Sequence, residues 1–236
     1  MKPDFSRLEL LMGSSAMVVL SKSGVFLIGL GGVGSWCAEA LVRSGIGSIC
    51  IADSDCVSAS NINRQLQATE KNIGLPKKEA LYERLKEINP ECDVKCFPHE
   101  FSKENSSLFD FGSADYIIDA IDTLPHKMDL IEIAANKGKR FFSSMGMAGK
   151  LDPTRIRTAD IWETEGCPLA KIVRTGLRKR NFTGNFTAVY STERLPNIGI
   201  TVKEDNKIIN GSAVCVTAAA GMTLASLVLM DIYINE

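Results

Sequence analysis

The segment from Val25 to Gln65 constrains this chain more than any other. An apolar strand, VFLIGL, runs straight into the turn Gly29-Leu30-Gly31-Gly32-Val33-Gly34. A helical pattern follows over 33–44, and a second strand, ICIAD, ends at Asp53. The spacing GxGxxG between strand and helix has a direct physical reading. Gly29 permits the tight turn, Gly31 lets backbone approach a phosphate, and Gly34 lets helix and strand pack closely. Gly32 belongs to the same phosphate-facing turn. The helix N-terminus offers free N–H groups and a partial positive charge to an anion. Asp53 stands where an acid bonds ribose hydroxyls, about 20 residues after the glycines. A turn needed only for packing would account for the glycines but not for the acid.

The rest of the chain alternates strand and helix. Leu8 to Leu20 has helical periodicity. Residues 33–44 should bury Val33, Trp36, Cys37, Ala40 and Leu41 on one face. Lys77 to Ile88 reads as a helix stopped before Asn89-Pro90, and Asp93 to Phe97 as a strand. Ser102 is expected to cap a short helix through Phe109. Asp115 to Ile121 is a buried strand with Asp122 at its C-terminal end. Pro125 to Asn136 is a helix and Arg140 to Ser144 a strand. This pattern predicts an α/β fold, a doubly wound, Rossmann-like, mainly parallel sheet over residues 6–145. An irregular α+β extension over 146–236 completes a single domain. It should contain a strand at Arg155–Ile161, a helix at Cys167–Lys179, a strand at Phe186–Ser191 and a polar loop at Thr192–Asn210. Ala213 to Met230 is uncharged and long enough to span a bilayer. Its many Ala, Gly, Ser and Thr residues and its lack of a basic flank favour a helix buried against the sheet, with no membrane involved.

Composition narrows the function classes. The net charge of −1 gives no global attraction to nucleic acid, so any basic surface must be local. Met1 to Met12 is mixed and charged and does not read as a signal peptide. The cysteines are Cys37, Cys50, Cys56, Cys92, Cys96, Cys167 and Cys215. Their odd number and irregular spacing suit a reducing cytoplasm. None form CxxC, which argues against tetrahedral zinc. Cys37, Cys50 and Cys215 sit in apolar runs and are expected in the core. His99 and His126 have no partner cluster in sequence and receive no role.

Beyond the glycine turn, the chain carries ADSDCVSASNINRQ, then GLPK, then DAIDT. Together with GLGGVG these motifs resemble the adenylating domain related to ubiquitin-activating enzymes. That superfamily includes the bacterial adenylyltransferases of thiamine and molybdopterin biosynthesis. The resemblance covers about Ser6 to Ser144. It implies that Asp53 binds the ribose of ATP and that Asn61, Arg64 and Gln65 face the phosphates. Lys77 would hold phosphate oxygens, and Asp122 would hold Mg2+. Arg7 would reach into a partner subunit's site, which implies a homodimer. The implied reaction is attack of a carboxylate on the α-phosphate of ATP, giving an acyl-adenylate. Other readings stay open for single residues. Arg64 and Lys77 could be solvated charges, Asp122 a helix cap, and Asp119 structural. Asp55 belongs either to the site or to its own loop's N–H groups.

The second half narrows the resemblance. SSMGMAGKLDPTRI, the helix containing Pro168-Leu169-Ala170, the run Arg178-Lys179-Arg180 and VYSTE are similar to the tRNA threonylcarbamoyladenosine dehydratases. The implied substrate is the threonylcarbamoyl group on an anticodon-loop adenosine of tRNA. ATP would activate its carboxylate, an internal nucleophile would close a ring, and AMP would leave, with net loss of water. Lys171, Arg174, Arg178, Lys179 and Arg180, with Arg155 and Arg157 nearby, would contact tRNA phosphates. A solvated helix face is the plain alternative for that basic run. Cys167 departs from the Asp expected before Pro-Leu and could act as a nucleophile at a helix start. A sulfur-relay or cysteine desulfurase partner is not readable from the residues. The alternative activity is adenylation of the C-terminus of a ubiquitin-like sulfur-carrier protein. An NAD-dependent oxidoreductase or a nucleotide sensor would use the same glycines and Asp53. Neither accounts for Asn61, Arg64, Gln65, Lys77 and Asp122 together.

Overall fold

A computed structural model of the chain describes residues 3–135, 138–194, 202–204, 207–209 and 211–236. Alternation along its strands sorts the core into two layers. In β1 (Gly24–Ile28), Val25 and Leu27 face one cluster, and Phe26 and Ile28 the other. In β2 (Ser48–Ala52), Ile49 and Ile51 oppose Cys50 and Ala52 in the same way. Strands covered on both faces read as continuous apolar runs, as parallel sheets require. The sheet also holds β3 (Asp93–Phe97), β4 (Tyr116–Asp119), β5 (Arg140–Ser144), β6 (Ile156–Asp160) and β7 (Thr187–Ser191). Its order is β3-β2-β1-β4-β5-β7-β6, and only the β6–β7 pairing is antiparallel. The winding direction reverses between β1 and β4, the place where such sheets open a crevice. The expected parallel core is therefore present. The extension is less irregular than expected, because β6 and β7 join the same sheet.

Helices cover both faces. On one side lie α2 (Ser14–Leu20), α3 (Gly34–Ser44), α4 (Lys77–Ile88) and α7 (Val214–Asn235). On the other lie α5 (Leu124–Ala135) and α6 (Pro168–Lys179). Helix α7 is long and apolar enough to cross a membrane by length and composition. It instead buries Val216, Ala220, Leu224, Val228 and Ile232, spaced by four, against the rest of the protein. A Cβ on Gly221 would overlap the carbonyl of Val33, so α7 crosses α3 almost backbone to backbone. That crossing corrects the one-faced expectation for α3. Ala38, Glu39 and Val42 are buried as well, whereas Val33, Trp36 and Ala40 are only partly so. Cys215, near the start of α7, is exposed rather than in the core.

Three local expectations are also corrected. The helix expected over Leu8–Leu20 is broken into α1 (Ser6–Met12) and α2 by Gly13, whose φ of +84° only glycine adopts readily. The helix expected after Ser102 shrinks to a single 3-10 turn, Ser106–Leu108. There the side chain of Asn105 accepts the Ser102 N–H at 2.8 Å and donates to the Glu100 carbonyl at 2.5 Å. Such local bonds compete with a helical ladder. The strand expected to run to Ile121 ends at Asp119, which leaves Asp122 on the loop beyond it. Within the polar stretch Thr192–Asn210, β8 (Val202–Glu204) pairs antiparallel with β9 (Lys207–Ile209). Residues 195–201, 205, 206 and 210 of that stretch lie outside the described residues.

Candidate active site

A cleft of about 1010 Å3 opens at the carboxyl ends of β1, β2, β4 and β5. Its floor is the glycine turn, and each glycine has a separate reason. Gly29 has φ +92°, and a Cβ there would meet the Ala120 carbonyl oxygen at 2.6 Å. A Cβ on Gly34 would overlap the Gly29 carbonyl. Gly31 has no atom within 4 Å of its would-be Cβ, so its backbone faces open cleft. Gly32 packs more tightly, with Thr217 at 3.1 Å and the Arg64 Cγ at 3.2 Å.

Asp53 is fixed before any ligand arrives. Its carboxylate accepts the N–H of Leu30 at 2.7 Å and of Asp55 at 2.9 Å. Burial raises its pKa from the ordinary aspartate value, opposed by the Lys77 charge and those two N–H groups. Lys77 opens α4 and is almost wholly buried. Its Nζ lies 2.6 Å from Asp55 Oδ2 and 3.9 Å from Asp53 Oδ1. The Asp55 carboxylate thus accepts from Lys77 rather than from its own loop.

The loop after β2 supplies the next wall. Asn61 Oδ1 accepts the Ser58 N–H at 3.2 Å, closing a capping box. Arg64 donates to the Ser60 carbonyl and to Asn63 Oδ1, both at 2.9 Å. Its own carbonyl accepts the Trp36 indole N–H at 3.0 Å, which ties the loop to α3. Gln65 is buried and lines the cleft, and among the described residues its Oε1 has no partner. Gln67, which the sequence reading passed over, donates to the Leu30 carbonyl at 2.9 Å and so holds the glycine turn from behind.

Asp122 lines the cleft from the exposed loop beyond β4. Beneath it is a network that no motif announced. Lys127 of α5 and Asp119 of β4 are both fully buried, 2.5 Å apart. Asp119 also accepts the Ser143 hydroxyl at 2.6 Å and the Ile121 N–H at 2.9 Å. Lys127 reaches the Ser144 carbonyl at 3.0 Å. The structural reading of Asp119 holds. The signal for Lys127 was a lysine on the apolar stripe of a helix, three, four and seven residues before Leu130, Ile131 and Ala134.

The far half of the cleft is built from the extension. The loop after β5, the start of α6 and the end of β7 converge there. Cys167 is the N-cap residue of α6, buried on that wall. His126 lies 3.4 Å from Glu100 on the cleft's rim.

Two groups of expected residues lie outside the cleft. Arg7 is exposed on α1 and does not line it. Of the basic run, three arginines are engaged within the chain. Arg174 bonds the Thr164 hydroxyl, Arg178 stacks over the Trp162 ring at 5.4 Å, and Arg180 pairs with Asp129 at 2.6 Å and Glu132 at 2.9 Å. Lys171 and Lys179 face solvent.

Comparison with known proteins places this geometry. The chain is 38% identical over 243 residues to the tRNA threonylcarbamoyladenosine dehydratase of Bacillus subtilis, covering 97% of this chain and 94% of that one. It superposes on the crystal structure of Escherichia coli tRNA N6-threonylcarbamoyladenosine dehydratase, TcdA, in complex with ATP. There the TM-score is 0.89 at 34% identity, covering 98% of this chain and 94% of that one. With the same protein in complex with AMP the TM-score is 0.88 at 33% identity and the same coverage. Residues 5–225 match the model of the ThiF family. With nearly its whole length matched, this chain belongs to the ThiF family.

Proposed function

We propose that this protein is an ATP-dependent tRNA threonylcarbamoyladenosine dehydratase. The observation that carries the reading is the near end-to-end likeness to a dehydratase solved with ATP. In this chain the glycine turn, Asp53, Asn61, Arg64, Gln65, Lys77 and Asp122 all line one cleft.

In this reading the open backbone at Gly31, with Gly32 beside it in the turn, receives the triphosphate, and Asp53 binds the ribose hydroxyls. Asn61, Arg64 and Gln65 face the phosphates. Lys77 leaves Asp55 in part to hold a phosphate oxygen as a point charge. The substrate's threonylcarbamoyl carboxylate attacks the α-phosphorus, an O–P bond forms, and pyrophosphate leaves with the electrons of the broken bond. Attack by a nucleophile within the modified nucleoside then closes a ring and releases AMP. One oxygen of the carboxylate departs on AMP, so the nucleoside loses the elements of water. Positioning and fixed charge supply most of such catalysis.

Mg2+ fits this cleft. No group of three or more His, Cys, Asp or Glu side chains suited to a metal comes together among the described residues. Mg2+ asks for less, one or two carboxylates plus phosphate oxygens and water. Asp122, exposed at the cleft, would hold it, and the ion would neutralise charge on the departing pyrophosphate.

The active unit is a homodimer in which Arg7 serves the partner's site. Exposed Leu10 and Leu11 on α1, with Tyr233 and Ile234 at the end of α7, support a covered face there. Lys171 and Lys179, exposed and unpaired among the described residues, would meet tRNA phosphates, and a cytoplasmic location accords with that substrate. The test is purified protein with ATP, Mg2+ and tRNA carrying threonylcarbamoyladenosine, digested and read by mass spectrometry. ATP-dependent loss of one water from the nucleoside is the expected result. No loss, with ATP–pyrophosphate exchange only when a carrier protein ending in Gly-Gly is added, would replace this reading with the carrier-activating one.

A further inference from the structure

The far half of the cleft holds a cation that the nucleotide half does not use. Lys150 lies on the loop after β5, lines the cleft, and is 5% exposed. Its Nζ donates one hydrogen bond, to the Glu193 carbonyl at 2.7 Å. An ammonium has three N–H donors to place. The neighbouring carboxylate does not answer the charge. Glu193 is turned to the backbone, accepting the N–H of Leu151 at 3.0 Å and of Asp152 at 2.9 Å. Among the described residues, Lys150 has no carboxylate within ion-pair distance.

A buried charge without a counter-ion is costly. Bracing the end of β7 does not require it, because the Glu193 carboxylate already ties that residue to the 151–152 backbone. The chemistry of the cleft does require a cation there. A carboxylate nucleophile must approach a polyphosphate and pass Asp122. Lys77, paired with Asp55 and near Asp53, is taken up in that reading by the phosphates. Arg64 is held on the loop at the glycine turn.

We propose that Lys150 binds the acceptor's carboxylate, the threonylcarbamoyl carboxylate of the modified adenosine, and presents it to the α-phosphate. This rests on the reading under Proposed function. Lys150 donates to the carboxylate oxygen that does not attack. It neither gains nor loses a proton, and the bonds formed and broken are those already described. Cys167, Leu169 and Ile172 line the same cleft and suit the uncharged parts of the same group.

The test separates charge recognition from bracing. Synthetic anticodon stem-loops carry either threonylcarbamoyladenosine or its carboxamide counterpart, and binding is measured by calorimetry with a non-hydrolysable ATP analogue present. The native protein should prefer the acid by about tenfold to a hundredfold, the value of a hydrogen bond to a charged group. Lys150→Met should lose that preference, and Lys150→Arg should keep part of it. Affinity for the ATP analogue should be unchanged in both. In turnover, kcat/KM for modified tRNA should fall by the same factor in Lys150→Met. A variant that melts lower and binds acid and amide equally weakened, with the preference intact, would overturn the proposal. So would unchanged kcat/KM in Lys150→Met. Native protein that leaves threonylcarbamoyladenosine tRNA untouched would instead remove the parent reading.

Discussion

Lys127 Nζ lies 2.5 Å from Asp119 Oδ2, and neither side chain is exposed to solvent. The pair joins the ends of two strands. Asp119 holds the Ile121 N–H, one residue before Asp122, and Lys127 holds the Ser144 carbonyl, one residue before Met145. Both walls of the cleft are therefore pinned from below. A buried ion pair contributes little net stability, but removing one partner strands the other charge. Lys127→Met should cost about 3–5 kcal/mol on that ground. Lys127→Met combined with Asp119→Asn should recover much of the loss. Denaturant unfolding of the two variants beside the native chain measures both, and Lys127→Met as stable as the native chain would contradict the account.

The cleft residues should divide by their structural burden. Asp122 is exposed, and among the described residues its only side-chain bond is from the neighbouring Thr123 at 3.4 Å. Asp122→Ala should leave stability within about 0.5 kcal/mol while abolishing turnover. Lys77→Ala should abolish turnover as well. It also leaves Asp53 and Asp55 facing each other without their shared cation, so its melting temperature should fall. The proposed dimer should survive both changes. Water loss from the nucleoside, read beside a thermal melt and a sizing column, checks the pair, and normal activity in both would sink the site assignment.

How much of this was legible depends on how local the signal was. The glycine turn, Asp53 and the strands from Val25 to Ser144 were readable because each is specified by neighbours within a few residues. Gly13 was passed over because periodicity on both sides of it is helical; the break depends on its φ of +84°. The helix after Ser102 failed because Asn105 offers the backbone a competing bond. Lys127 was missed because lysine is almost never fully buried unless paired, and its partner Asp119 lies on another element. The basic run of α6 read as one patch in sequence. Only the fold shows that Asp129, Glu132, Trp162 and Thr164 take three of its arginines.

Glu39 gives the fold a pH dependence of definite sign. Burial pushes its pKa up, but hydrogen bonds and charge from Arg84 and Arg43 outweigh this and leave it below the usual glutamate value. Arg84 on α4 reaches both carboxylate oxygens, at 3.1 and 3.2 Å, so the group ties α4 to α3. The folded state binds this proton less readily than the unfolded chain. The stabilisation is complete above about pH 4.3, the unfolded value, and is lost as pH falls through the lowered folded value. Glu39→Gln should be less stable at neutral pH, and its stability should fall less steeply in that acid window. Equal acid slopes for the two proteins in urea melts would refute the assignment.

Two glycines three residues apart should respond to alanine in opposite ways. At Gly34 the new Cβ would overlap the Gly29 carbonyl, a backbone atom of the tight turn that cannot move aside without dislodging β1 from α3. Overpacking of this kind costs about 1–3 kcal/mol or more, so Gly34→Ala should unfold at lower denaturant whether or not ATP is present. At Gly31 the same methyl meets nothing within 4 Å. Gly31→Ala should therefore fold as stably as the native chain, or slightly better, because it restricts the unfolded state. Its loss should appear only in ligand binding, where the methyl occupies the space through which a phosphate approaches the backbone. Calorimetric titration with a non-hydrolysable ATP analogue, alongside urea unfolding of the free proteins, reads both effects. Full ATP affinity in a stable Gly31→Ala would mean that the triphosphate does not lie on this turn.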